Sequence, residues 1–237
     1  QIYRIENQSQ VSGNFEALSK GNPGQLGVSI KEQLPQIEEQ TRIRDLNYIN
    51  PALRYLGDKD EISFKQDGVF AIEPSLFSIF DFELISGDIE RFSSPHTMIL
   101  TESVARVYFD DLQQAIGETI ILETNGGNQN YELVAILKDI PDNSHLSFRV
   151  GLSFNTLEYF GAEPDSDSWE GFTYYNYVLL NAEAEVQTVE AQINQIFDEN
   201  TQALYADKGI DYEFSLLPLS DIHLSEREYS DFVPHVN

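Results

Sequence analysis

Both ends of this 237-residue chain carry the same rhythm, and that repeat restricts the available folds more than any other feature. At the start, "QIYRIENQ" (1–8) alternates as a strand does, and a loop with Gly13, Gly21, Pro23 and Gly24 follows. "QLGVSIKEQL" then sets Leu26, Ile30 and Leu34 on one helical face. Pro35 stops that helix, because a proline pushes the residue before it out of the α region. "EEQTRIRDLNYI" returns to strand rhythm. Near the other end, the strand "FTYYNYVLLN" precedes the clearest helix. There Val186, Val189, Ile193, Ile196, Phe197 and Leu204 recur at three- and four-residue steps. "YEFSLLPLSDIHL" closes with another strand. The two ends share this architecture without sharing sequence identity.

Between them lies a block of short strands. "EISFKQDGVFAI" turns at Asp67-Gly68, and Ser75 to Ile79 forms one helical turn after Pro74, followed by a strand, "FELI". "TMILTESVARVYFDD" reads as a strand ending at Leu100 and a short helix capped by Thr101 or Ser103. "ETIILET" and "NYELVAILKDI" flank Asn125-Gly126-Gly127-Asn128 as a hairpin. "PDNSH" (141–145) turns into the strand "LSFRVGLSF". The expected fold is α+β: a split β-α-β/β-α-β domain from residues 1–79 and 151–237, with a small β-rich domain inserted at 80–150 and carrying one short helix.

Charge and composition exclude whole classes of function. Forty acidic residues against 14 basic ones give a formal net charge of −26, which repels the phosphates of nucleic acids and of anionic membranes. The chain has no cysteine, so disulfides, thiolate metal sites and cysteine nucleophiles are ruled out. Its longest apolar runs, such as "LVAIL", fall far short of the roughly 18 residues of a membrane helix. With no initiator Met and no basic or apolar leader region, the chain reads as a soluble piece of a longer polypeptide.

Candidate chemical sites each have a plainer explanation. The histidines at 96, 145, 223 and 235 lack metal-ligand spacing, and Asp165, Asp167 and Glu170 in "DSDSWEG" lack the glycine and terminal Glu of a calcium loop. Ser103 has no elbow glycines and reads as a helix cap. Asp142 and His145 fit an Asx turn better than an acid/base pair. "GNPGQLG" (21–27) opens a helix whose amides could meet an anion, but it has no phosphate-loop spacing. The polar side of the 185–206 helix carries acids and amides, which suits core packing and not a membrane surface. No catalytic, metal or cofactor residues are assigned.

One stretch resists a simple rhythm. "SLFSIFDFELISGD" (75–88) packs three Phe, two Ile and two Leu into fourteen positions and stops at Gly-Asp. Together with "TMILTESVARVYFDDLQQAIGETIIL" (97–122), "YELVAILKDIPDNSHLSFRV" (131–150) and "LLPLSDIHL" (216–224), it resembles the MacB-like periplasmic core domain of FtsX-type ABC transporter permeases, particularly those of Bacteroidetes. The resemblance implies a porter-like split domain with an inserted Sabre-like one, and structural roles for the motif positions. Phe77, Phe80 and Phe82 would plug the junction between two cores, and Gly87 would permit the turn from helix to strand. Thr101 would start a short helix packing Val104, Val107 and Tyr108 on the inserted sheet, and Pro141 would turn the chain back to the split domain.

For function, the resemblance implies a non-catalytic module on the periplasmic face of the bacterial inner membrane. It would bind substrate or partner proteins and transmit conformational change driven by a separate cytoplasmic ATPase. The implied partners are that ATPase, a second permease copy, and a periplasmic adaptor or a peptide or lipoprotein substrate. Relatives of this kind export peptides and macrolides, extract lipoproteins or regulate cell-wall hydrolases. The alternative is a free secreted or lipid-anchored periplasmic binding protein.

Overall fold

The computed structural model describes residues 1–11, 14–57, 61–141, 143–160, 168–205 and 208–222; of residues 14–17, 61 and 158–160 it describes the backbone alone. His223, His235, Asp142, Asp165, Asp167 and the end of "LLPLSDIHL" lie outside the described residues. The chain divides into two compact units, one taking residues 1–42 and 168–222, the other residues 43–160.

The first unit is built from the two ends, each a strand–helix–strand run. β1 (Ile2–Val11), β2 (Asn14–Ser19), α1 (Gly24–Gln33) and the first part of β3 (Ile37–Asp45) come from the start. β12 (Tyr175–Leu180), α4 (Val186–Tyr205) and β13 (Ile210–Pro218) come from the end. β1 is central and runs antiparallel to β13 in unbroken register from Tyr3↔Pro218 to Val11↔Ile210. Its other edge is shared, with β12 at Ile2 to Arg4 and β2 at Asn7 to Val11. α1 ends at Leu34 because Pro35 forbids a further turn. In α4 the three- and four-residue spacing is realised: Val189, Ile193, Ile196 and Phe197 bury their side chains with Tyr3, Ile5, Leu26, Ile30, Val178 and Phe214.

The second unit holds the rest of β3, then β4 (Ala52–Leu56), β5 (Glu61–Lys65), β6 (Val69–Ile72), α2 (Leu76–Ile79) and β7 (Leu84–Gly87). It continues with β8 (Thr97–Thr101), α3 (Glu102–Tyr108), β9 (Thr119–Thr124), β10 (Gly127–Leu137) and β11 (Val150–Ser153). Its strands run in the order β3-β6-β11-β8-β10-β9-β4-β5, with β7 on β10. β8 and β10 are parallel, as are β6 and β11; the other pairs are antiparallel. The β9–β10 hairpin closes through Asn125-Gly126, where Thr124 Oγ1 accepts from the Gly126 amide and donates to Gly127 O.

This α+β fold of mixed sheet and four helices, counted among the described residues, follows the sequence expectation in outline. The second unit is longer than the expected 80–150 insert. β4 hydrogen-bonds to β9 and β6 pairs with β11, so both strands belong to its sheet. Residues 14–19, expected as loop, extend as β2, and of "LSFRVGLSF" only Val150–Ser153 forms a strand.

Candidate functional site: an aromatic ridge in the second unit

The apolar run at 75–88 folds as one helical turn, a bend and a short strand, and each step has a local cause. Pro74 fixes the approach to α2, and the Phe80 amide closes the turn on Leu76 O. Four residues make one turn, so only Leu76 and Ile79 point fully inward. Phe77, Phe80 and Phe82 stay half-buried and meet one another in a row. Phe77 packs edge-on to Phe82 at 5.6 Å and to the buried Phe92 at 5.8 Å. Phe82 lies 6.4 Å from Phe80 and 5.5 Å from Phe148, while Phe80 sits 5.7 Å from the His145 imidazole. All these rings belong to the second unit. They form a ridge within the second unit.

Gly87 ends the ridge where only glycine fits. Its φ is +93°, and a Cβ there would stand 2.2 Å from Val134 O and 2.8 Å from Ala135 Cα. That close approach is the pairing of β7 with β10 at Gly87↔Ala135.

α3 departs from expectation at its start. Thr101 occupies the N-cap position, but its hydroxyl makes no capping bond; the Asp139 carboxylate accepts from the Ser103 amide at 3.0 Å instead. Thr101 is also the last residue of β8, a strand buried along its whole length. Val104 and Tyr108, four residues apart, are buried, whereas Val107 falls on the outer face at 47% exposed. The Tyr108 hydroxyl donates to Leu53 O at 3.1 Å, and burial pushes its pKa up to about 12. Pro141 is exposed and accepts from the Ser144 amide at 2.8 Å, which makes the turn before buried His145.

Two of the chemical candidates have protein partners among the described residues. At the start of α1 the Gln25 amide donates to Ser168 O and the Leu26 amide to Pro23 O, so protein carbonyls occupy the place of an anion. Glu170 pairs with Lys208 at 4.0 Å. Among the described residues no three His, Asp or Glu side chains converge on a metal position. The ridge brings Phe77, Phe80, Phe82 and His145 together; Gly87 borders it, while Thr101, Tyr108 and Pro141 hold the neighbouring turns. What it offers is aromatic surface for packing. Sequence reading missed a concavity between α4 and β13, which forms only where the end of that helix and the start of that strand converge.

The family model of the MacB-like periplasmic core domain matches residues 1–196. The chain belongs to that family. No curated protein matches this MacB-like domain. Among solved structures, it is similar to a domain assigned to a permease protein from Porphyromonas gingivalis. The TM-score is 0.73 and the identity 19%, over 92% of this chain and 89% of that one. It is similar also to the periplasmic region of MacB from Actinobacillus actinomycetemcomitans (TM-score 0.58, 14% identity, 96% and 94% covered). The extracellular domain of the noncanonic ABC-type transporter YknZ from Gram-positive bacteria is a third (TM-score 0.56, 11% identity, 90% and 99% covered). At these identities the likeness shows a common fold. Among the described residues, no helix of this MacB-like domain is long and apolar enough to cross a membrane.

Proposed function

We propose that this chain is the extracytoplasmic domain of an ABC transporter permease, held at the periplasmic face of a bacterial inner membrane. It binds substrate or partner proteins there and carries ATP-driven movement across the membrane, without catalysing a reaction of its own. The observation that carries this reading is the family match over residues 1–196, joined by likeness to transporter domains along nearly the whole chain. The build suits the role. Two compact units, each with its own core, can transmit force as bodies, and an aromatic ridge offers packing surface in place of chemistry. The partners in this reading are a cytoplasmic ATPase, a second permease copy, and a periplasmic adaptor or peptide or lipoprotein substrate. We further propose that the split first unit is the porter-like part and the second contains the Sabre-like part.

The test is fractionation of the natural full-length polypeptide in its own cells. The transporter reading expects it in the inner-membrane fraction, with this domain digested by protease added to spheroplasts. Release with the periplasmic fraction on osmotic shock would support a free binding protein and overturn the proposal.

A further inference from the structure

The first unit carries a groove that the aromatic ridge does not explain. It lies between the last turns of α4 and the first residues of β13, encloses about 420 Å³, and is lined by Phe197, Asp198, Gln202, Tyr205, Asp211 and Tyr212, among others. One wall is aromatic. Tyr205 meets Tyr212 edge-on at 5.2 Å, Tyr212 meets Phe197 at 5.6 Å, and Phe172 stacks on Tyr212 at 4.5 Å. The other side is acidic, with Asp198 on α4 and Asp211 on β13; burial and the Asp211 charge together raise the Asp198 carboxyl above its ordinary range. The wall already holds a cation at its margin: the Lys208 ammonium sits 5.2 Å from the Tyr205 ring centre and 4.0 Å from a Glu170 oxygen.

The backbone beside the groove points to a peptide. β13 is the outer strand of this unit's sheet. Along most of its length α4 closes that edge with a ladder of side chains four residues apart. Glu190 accepts from the Leu216 amide at 2.8 Å. Asn194 accepts from the Phe214 amide at 2.8 Å and donates to Phe214 O at 2.9 Å. The next rung would join Asp198 to Tyr212, because both rows continue in step. No hydrogen bond of the described residues forms that rung, and the ladder opens there into the groove. The strand edge therefore presents the Tyr212 amide and carbonyl where the carboxylates and rings converge.

We propose that this groove docks a basic segment of a partner polypeptide: an Arg or Lys side chain lies on the Tyr205 and Tyr212 rings between Asp198 and Asp211, and the segment's backbone pairs with β13 at Tyr212. Cation–π attraction, charge-assisted hydrogen bonds and strand addition supply its three points of recognition. A net charge of −26 steers basic partners toward the domain and repels acidic ones. The site stands on the groove's own chemistry and does not depend on the transporter reading.

Trp169, the chain's one tryptophan, reports on the site: its ring lies 6.0 Å from Phe197 and its carbonyl accepts from the Tyr205 hydroxyl at 3.3 Å. Its fluorescence is titrated with acetyl-Thr-Arg-Thr-Arg-Thr-amide, with the same peptide carrying Glu for Arg, and with spermine, calorimetry running in parallel. The expected result is saturable binding of the Arg peptide, weakened about tenfold or more by Asp198→Asn with Asp211→Asn. The charge-matched control Glu90→Gln with Asp110→Asn should leave it unchanged. Absence of saturable binding, equal loss in the control, or spermine binding as tightly as the Arg peptide would each overturn the proposal. The exchanged side chains are all exposed, so the fold is expected to survive in both variants.

Discussion

Arg4 donates to Glu6 from Nη2 at 2.6 Å and from Nε at 3.2 Å, and the two side chains are 1% and 0% exposed. They stand two residues apart on β1, so they share the face opposite Tyr3 and Ile5. Desolvating both charges is costly, and the pair with its hydrogen bonds offsets that cost. Removing one partner is therefore worse than removing both. Glu6→Leu is expected to cost about 3–5 kcal/mol, and Arg4→Met with Glu6→Leu distinctly less. Urea unfolding of the two variants checks it; equal losses would show that the pair's charge balance is unimportant.

Gly87 and Gly127 separate conformational strain from collision. Both have positive φ, +93° and +124°, but a Cβ at Gly127 meets nothing within 4 Å, while at Gly87 it meets backbone at 2.2 Å. Gly127→Ala is expected to cost about 1–2 kcal/mol from backbone strain alone. Gly87→Ala should cost more than that and disturb the β7–β10 pairing. Thermal unfolding, with amide exchange at Ser86 and Ala135, distinguishes them.

The aromatic ridge grades from core to surface. Phe92 is fully buried, so Phe92→Ala is expected to cost about 3–5 kcal/mol. Phe82→Ala removes a half-buried ring and its contacts with Phe77 and Phe148, for roughly 1–2 kcal/mol. Losses of equal size would mean that Phe82 is as much a core residue as Phe92.

Tyr108 makes stability pH-dependent at the alkaline end. Its folded pKa is raised from 10.0 to about 12, so the fold favours the neutral phenol. That contribution is fully present below pH 10 and is lost as pH rises through 10 to about 12, where the unfolded chain releases the proton first. Tyr108→Phe forfeits the bond to Leu53 O, worth about 1 kcal/mol, and should flatten the fall in stability over that window. An identical fall in the variant would assign the alkaline transition to other groups.

Local rules carried far in this chain where one rule acted alone. The α4 periodicity, the Pro35 stop and the Asn-Gly hairpin all folded as the sequence implied. Reading faltered where tertiary pairing decides. β4 is a five-residue strand whose partner β9 lies far along the chain, and β2 folds back on β1 across a register shift between Gln8 and Gln10, so neither announces itself by a clean alternation. Thr101 looked like a cap because of its type, yet its hydroxyl makes no capping bond and Asp139, 36 residues from Ser103, supplies the oxygen. The groove on the first unit was invisible because it needs the end of one helix and the start of a strand to converge. Acidic residues are too common in this chain for Asp198 and Asp211 to stand out.

The central claim is that the domain transmits movement. It is tested most directly by ATP hydrolysis of the intact transporter, reconstituted in lipid nanodiscs with and without this domain, a Gly/Ser linker replacing it in the second case. The expected result is that basal hydrolysis persists without the domain while stimulation by the periplasmic partner or substrate is lost. Full stimulation without the domain would contradict the account, since nothing would then need to pass through these two units.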